Sequence, residues 1–173
     1  DAQGILPDAL DRAAQTFQTK LLFCAPTLHN PTTATMDVAR REALAAVIRR
    51  RRLLLMEDVV HAAALSGPPP ALSTMVPEQS FLLSSFSKVM APGLRVGYLE
   101  AAAPWLDKVA SSIRTDCWMV APLMPEIATR WLDSGEAEHL IALQRQQVAE
   151  RLALACRAFS GVPVRWGDDF PHV

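Results

Sequence analysis

The sequence predicts an α/β domain with a mostly parallel sheet and flanking helices. Two observations carry that expectation. Short apolar runs (KLLFCAP, LLLME, FLLSS and LRVGYLEA) alternate with segments whose apolar residues recur at helical spacing, and a chain that switches repeatedly between those periods builds strands covered by helices. In addition, polar residues suited to chemistry fall just past the ends of those runs, where open α/β sheets bind their ligands.

Residues 7–18 (PDALDRAAQTFQ) open on a proline and carry apolar residues at helical spacing, so a helix is expected there. KLLFCAP (20–26) is short, apolar and stopped by proline, the pattern of a buried strand. Pro31 and the polar residues of TLHNPTTATM then make a loop. Asp37 is placed to cap a helix through VARREALAAVIRR, because its carboxylate can accept an otherwise unpaired first-turn N–H. LLLME (53–57) is the next strand, with Asp58 at its carboxyl end, and GPPPALS (67–73) is a loop by composition. FLLSS (81–85) and LRVGYLEA (94–101) give a third and a fourth strand, with Lys88 between them. From Pro104 onward the pattern is helical, with one segment over 121–135 and a long helix over 136–161; Gly135 and Gly161 fit their ends. A boundary follows. Residues 1–161 read as part of a large domain and 162–173 as the start of a smaller C-terminal one, opened by the strand VPVRW. The chain has no initiator methionine and stops soon after that segment begins, so it reads as a piece of a longer protein.

Half of the 173 residues are apolar and the net charge is −1, which leaves no overall basic field to attract nucleic acid or anionic lipid. Cys24, Cys117 and Cys156 are odd in number and irregularly spaced. That argues against a disulfide framework or a zinc site and suits a reduced cytoplasm, each cysteine reading as a small buried apolar residue. No apolar run approaches the roughly 18 residues of a membrane span, and no signal-peptide pattern opens the chain. The arginines at 49–52 fall at a helix end, where cations meet the helix dipole favourably. With no aromatic residues among them they read as a solvated terminus, not a nucleic-acid patch.

Asn30, Asp58, His61, Ser85, Ser87 and Lys88 fall at or just after strand ends. Each has a plain structural reading: Asn30 shapes a turn, Asp58 caps the next segment, His61 is a satisfied core histidine. On successive strand ends, however, they converge on one crevice. The set offers a lysine for a Schiff base, a carboxylate to pair with a cation, hydroxyls, and in Arg95 a planar guanidinium matched to phosphate. Pyridoxal phosphate needs those parts: a partner for its aldehyde, a cradle for its phosphate and a counter-charge for its ring nitrogen.

Three stretches carry a family resemblance. SFSKVMAPGLRVGY resembles the lysine signature of the fold-type I pyridoxal-phosphate enzymes, the aspartate-aminotransferase-like group. HNPTTATM resembles that group's Asn-Pro-Thr-Gly loop, and EDVVH its Glu-Asp-x-x-Tyr segment. DCWMVAPLMPEIATRWLDSGEAEHL is similar to the aminotransferase-like domain of MocR-type regulators, the GntR-family branch that joins a winged helix-turn-helix to such a domain. The resemblance covers nearly the whole chain, and three motifs in the right order make the lysine signature specific. It implies a large-domain fragment of that fold. Lys88 would form the Schiff base and, in an active enzyme, shuttle the proton between substrate carbon and cofactor. Asp58 would keep the ring nitrogen protonated, Asn30 would hydrogen-bond the phenolic oxygen, and Ser85, Ser87 and Arg95 would bind the phosphate. Asn30-Pro31 is a candidate cis peptide.

Two positions depart from the pattern. Thr33 stands where glycine is usual, which tests whether that backbone position needs a positive φ. His61 stands where a tyrosine commonly donates to the phenolic oxygen, and it is expected to line the cofactor site with a different reach. An upstream loop giving backbone N–H groups to the phosphate, an aromatic ring stacked on the cofactor and a C-terminal arginine for the substrate carboxylate have no counterpart here. The chain is therefore expected to hold half a pocket and to bind pyridoxal phosphate poorly alone.

Three functions compete. In the first, a regulator, the domain senses a small amino ligand and shifts an attached winged-helix domain, outside this chain, through which alone DNA is met. In the second the protein is a free-standing aminotransferase acting on an amino acid such as 2-aminoadipate or an aromatic or branched one. The third is a degenerate domain without cofactor, against which the joint presence of Lys88, Asp58, Asn30 and Arg95 argues. The CWMVAPLMPEIATRWL stretch favours the regulator. The resemblance also implies a homodimer, and the cysteine usage a cytoplasmic location.

Overall fold

The computed structural model describes residues 1–163. Its elements are α1 (Pro7–Thr16), β1 (Leu21–Cys24), α2 (Val38–Arg51), β2 (Leu54–Asp58), β3 (Ser80–Ser85), β4 (Gly97–Ala101), α3 (Ala103–Cys117), α4 (Leu123–Ser134) and α5 (Glu136–Ala158). Short 3-10 turns lie at Ala62–Ala64, Leu72–Met75, Pro77–Gln79 and Pro92–Leu94. The expected α/β architecture is present. The four strands lie in the order β1-β2-β3-β4, the first three parallel and β4 antiparallel to β3. The reversal has a local cause: the connection over 86–96 contains no crossover helix, and a parallel return would need one.

Local chemistry sets the helices. Asp37 Oδ1 accepts from the Arg40 backbone N–H at 2.7 Å and caps α2, as expected. Arg52 ends the helix in a left-handed conformation. The arginine run does more than face water: Arg50 and Arg51 both pair with Asp11 of α1, at 2.7 and 2.8 Å, and so fasten the two helices together. Gly135 at φ +79° separates α4 from α5, a conformation that a side chain would strain.

Strand register separates two faces of the sheet. Leu22, Cys24, Leu53 and Leu55 pack with Leu10, Ala14, Leu44, Val47 and Ile48 of α1 and α2, and with Leu72 and Val76. Alternation puts Glu57 on that packed face and its neighbour Asp58 on the other. In the ladder Met56 lies beside Phe23 and Phe81, and Asp58 beside Leu83, so Ser85 shares the face of Asp58. That second face is thinly covered, with Phe23 58% exposed; α3 reaches it where Trp105 meets Phe81 edge to face, ring centroids 5.5 Å apart. Helices α4 and α5 instead pack under the loop after β3: Trp131, Leu140 and Ile141 rest on Phe86, Val89 and Met90, and Ala128 rests with Leu94 and Val96.

Some expectations are corrected. The fourth strand begins at Gly97, not residue 94, because Pro92–Leu94 winds a 3-10 turn and Arg95 follows at φ +52°. Cys24 is buried, but Cys117 and Cys156 lie exposed on α3 and α5, and all three thiols are free. The second domain expected over 162–173, with its strand VPVRW, lies outside the described residues except for Val162 and Pro163. Among the described residues no helix is long and apolar enough to cross a membrane.

Candidate functional site

The candidate residues gather along the carboxyl edge of the parallel strands. Asp58 is the last residue of β2 and Ser85 the last of β3. Asn30 lies in the loop beyond β1, His61 just beyond β2, and Ser87 and Lys88 just beyond β3. Because β4 runs antiparallel, its first residues return to the same edge: Ser85 pairs with Gly97, and the Phe86 N–H donates to the Val96 carbonyl at 3.1 Å. The loop carrying Lys88 is thus pinched at its base, and Arg95 is held beside the end of β3. The Pro92–Leu94 turn makes that return.

The side chains differ in how far they are already committed. Asp58 is half-buried; its Oδ1 accepts from the Val60 N–H at 3.0 Å. Ser85 Oγ accepts from the Ser87 N–H at 3.3 Å. Lys88 and Arg95 are exposed, and among the described residues neither side chain has a hydrogen-bonding or ionic partner. Asn30 is exposed on a loop with two left-handed residues, Leu28 at φ +53° and Thr33 at φ +59°, and its bond to Pro31 is cis. Thr33 therefore adopts the conformation that glycine takes most easily, with its N–H on the His29 carbonyl. A groove of about 310 Å³ runs beside this loop, lined by Phe23, Ala25, His29, Thr32 and Ala34 among others. Among the described residues no group of His, Cys, Asp or Glu could hold a metal ion.

Under the site lies a feature that the motif reading missed. Arg41 and Glu57 are both fully buried, Nη1 and Oε1 3.7 Å apart. Arg41 donates through Nε to the Met36 carbonyl at 2.9 Å, through Nη2 to the Pro26 carbonyl at 3.0 Å and Thr27 Oγ1 at 2.8 Å, and through Nη1 to the Pro70 carbonyl at 3.1 Å. Glu57 accepts from the Leu72 and Ser73 N–H groups at 2.9 and 2.6 Å. Burial lowers the Arg41 pKa from its ordinary value, and the Glu57 carboxylate opposes that shift. Nearby, burial pushes the Cys24 thiol up to about 12, aided by the Glu57 charge and opposed by Arg41. The signals were present in the sequence: Arg41 stands three and four residues before Leu44 and Ala45 on the inward stripe of α2, and Glu57 two after Leu55.

A second unforeseen contact comes from α5. Arg145 donates to the Ala63 carbonyl at 3.1 and 2.8 Å and to the Leu65 carbonyl at 2.7 Å, tethering the segment just after His61. Nothing local marks Arg145, because its acceptors lie about eighty residues earlier in the chain.

The donor set fits pyridoxal phosphate: an amine and a guanidinium without partners among the described residues, hydroxyls, an amide and a half-buried carboxylate on one sheet edge. The comparisons bear on the family and the fold. The family model for aminotransferase class I and II matches residues 1–166. An HTH-type transcriptional regulator of Bacillus subtilis (strain 168), YdeF, described as uncharacterised, is 31% identical over 155 residues, 90% of this chain and 34% of the relative. Among solved structures, kynurenine aminotransferase of Pyrococcus horikoshii superposes with a TM-score of 0.86 at 21% identity, over 96% of this chain and 44% of that one. LysN, the alpha-aminoadipate aminotransferase of Thermus thermophilus, gives a TM-score of 0.80 at 22% identity, over 96% and 45%. The chain spans about a third of the length of the curated relatives that it matches.

Proposed function

The chain belongs to the aminotransferase class I and II family, and from that premise we propose that it is the cofactor-binding part of a transcriptional regulator of the MocR type. The observation that carries this reading is the likeness to an HTH-type transcriptional regulator along 90% of the chain. Proteins of this family depend on pyridoxal phosphate, which when bound supplies an electrophilic carbon for amines and a ring that withdraws electrons.

The residues divide the work by position. Lys88, exposed on its pinched loop, provides the amine that ties the cofactor to the chain. Asp58 would pair with the ring nitrogen and hold a proton there. Asn30 would donate to the phenolic oxygen, and His61 would line the cofactor site. Arg95, with Ser85 and Ser87, binds the phosphate as a cluster of charge-assisted and hydroxyl donors. A small amino ligand competing with Lys88 for the cofactor would change which groups at this edge are engaged, and a two-state protein can pass such a difference to another domain. In this reading residues 1–161 are part of a large domain and the smaller one begins near Val162. DNA is met only through a winged-helix domain outside the chain, and the whole protein works in the cytoplasm as a homodimer.

The test uses the whole protein. Added pyridoxal phosphate should give a visible absorbance that borohydride traps on the peptide containing Lys88. The same band in Lys88→Ala would sink the assignment. Rapid transamination of an amino acid, with no effect of that amino acid on DNA binding, would favour a free-standing aminotransferase instead.

A further inference from the structure

We propose that Arg41 is a positioning residue for the cofactor site, joining the base of the Asn30 loop to the strand that ends in Asp58. This rests on the reading of Asn30 and Asp58 as cofactor contacts. Pro26 and Met36 are the two ends of the Asn30 loop, closed by the Met36 N–H on the Pro26 carbonyl at 2.8 Å. The Arg41 guanidinium binds both ends at once, and also the Thr27 hydroxyl just inside the loop. Its remaining edge faces Glu57, which alternation sets on the packed face directly before Asp58. Through that side chain the loop and the strand share one buried anchor.

The loop needs such an anchor. Leu28 and Thr33 both hold positive φ values, and non-glycine residues remain there only when their surroundings over-determine the backbone. By the reading above, Asn30 and Asp58 address different atoms of one rigid ring, the phenolic oxygen and the ring nitrogen. A shift of the loop relative to the strand would leave one of the two contacts unmade. Lysine cannot replace the anchor, since its ammonium is a point donor where arginine presents a planar fork to acceptors in several directions.

The experiment compares the whole wild-type protein with Arg41→Lys and Thr27→Val, the second removing one hydroxyl acceptor and leaving the ion pair. Pyridoxal phosphate affinity, the pH midpoint of the visible band and the melting temperature of the cofactor-free protein are measured. Arg41→Lys is expected to weaken cofactor binding roughly tenfold or more and to move the pH midpoint by about half a unit, Thr27→Val acting in the same direction to a smaller degree. A lowered melting temperature with affinity within about twofold of wild type and an unmoved midpoint would reduce Arg41 to a packing residue and overturn the inference. If Arg41→Lys does not fold, Thr27→Val decides by the same two readouts. Absence of a visible band in the wild type would instead overturn the site assignment itself, and this inference with it.

Discussion

Replacing Glu57 by alanine probes the buried pair under the site. Both partners are 0% exposed and 3.7 Å apart, and the carboxylate is the acceptor for the Leu72 and Ser73 N–H groups. Alanine leaves those two donors without acceptors and leaves the guanidinium with neutral oxygens only. An orphaned buried donor costs about 1–3 kcal/mol, and breaking a buried ion pair from one side costs about 3–5 kcal/mol. These figures describe overlapping contacts, so the expected loss is about 3–5 kcal/mol and not their sum. Glu57→Gln keeps one acceptor oxygen and should lose less. The assay is urea unfolding of the whole protein, followed by tryptophan fluorescence, for which Trp105 on Phe81 is an internal reporter. A loss below about 1 kcal/mol for Glu57→Ala would mean that water or a rearranged loop replaces the carboxylate, and the argument for a rigid anchor would fail.

Three further outcomes follow from named contacts. Arg95→Gly keeps a backbone suited to φ +52° and removes only the guanidinium, so pyridoxal phosphate affinity should fall roughly tenfold to a hundredfold while covalent trapping on Lys88 persists; unchanged affinity would refute the phosphate role. With its thiol pushed up to about 12, Cys24 should resist alkylation in the native protein near neutral pH and react only on unfolding, as mass spectrometry would show. Rapid native labelling of Cys24 would contradict its burial. The Arg51 and Arg50 guanidinium groups hold the Asp11 carboxyl well below the usual carboxylate range. Its contribution to stability is therefore present above the unfolded carboxylate pKa of about 3.9 and is lost as pH falls through the lower folded value. Acid titration of the melting temperature should be flatter below about pH 4 in Asp11→Asn, and identical profiles would show that the bridges contribute nothing.

Legibility in the sequence followed the range of the forces involved. Strands β1 to β3 and helices α1 and α2 were readable because apolar spacing and caps act within one turn or one strand, and Asp37 caps α2 as its carboxylate predicts. The start of β4 was not, because LRV looks as strand-like as GYL until the chain is seen to wind at Pro92 and turn left-handed at Arg95. The lysine, the strand-end aspartate and the asparagine loop were found as motifs. The side chains beneath them were harder: Arg41 and Glu57 look like surface charges, and only their places on the 3.6 and 2.0 periods reveal burial. Arg145 lies beyond any local rule, since its partners come from a distant part of the chain.

Among the described residues β1 and β4 are the outer strands of the sheet, and they are unlike. β4 ends in Glu100 and Ala101, a charge that discourages a neighbouring strand. β1 is LLFC, uncharged along its whole length, with Leu21 42% and Phe23 58% exposed. Its outer N–H and C=O groups form a template to which another strand can pair. An uncharged outer strand of this kind favours edge-to-edge association, and a lysine in place of Phe23 is the simplest guard against it.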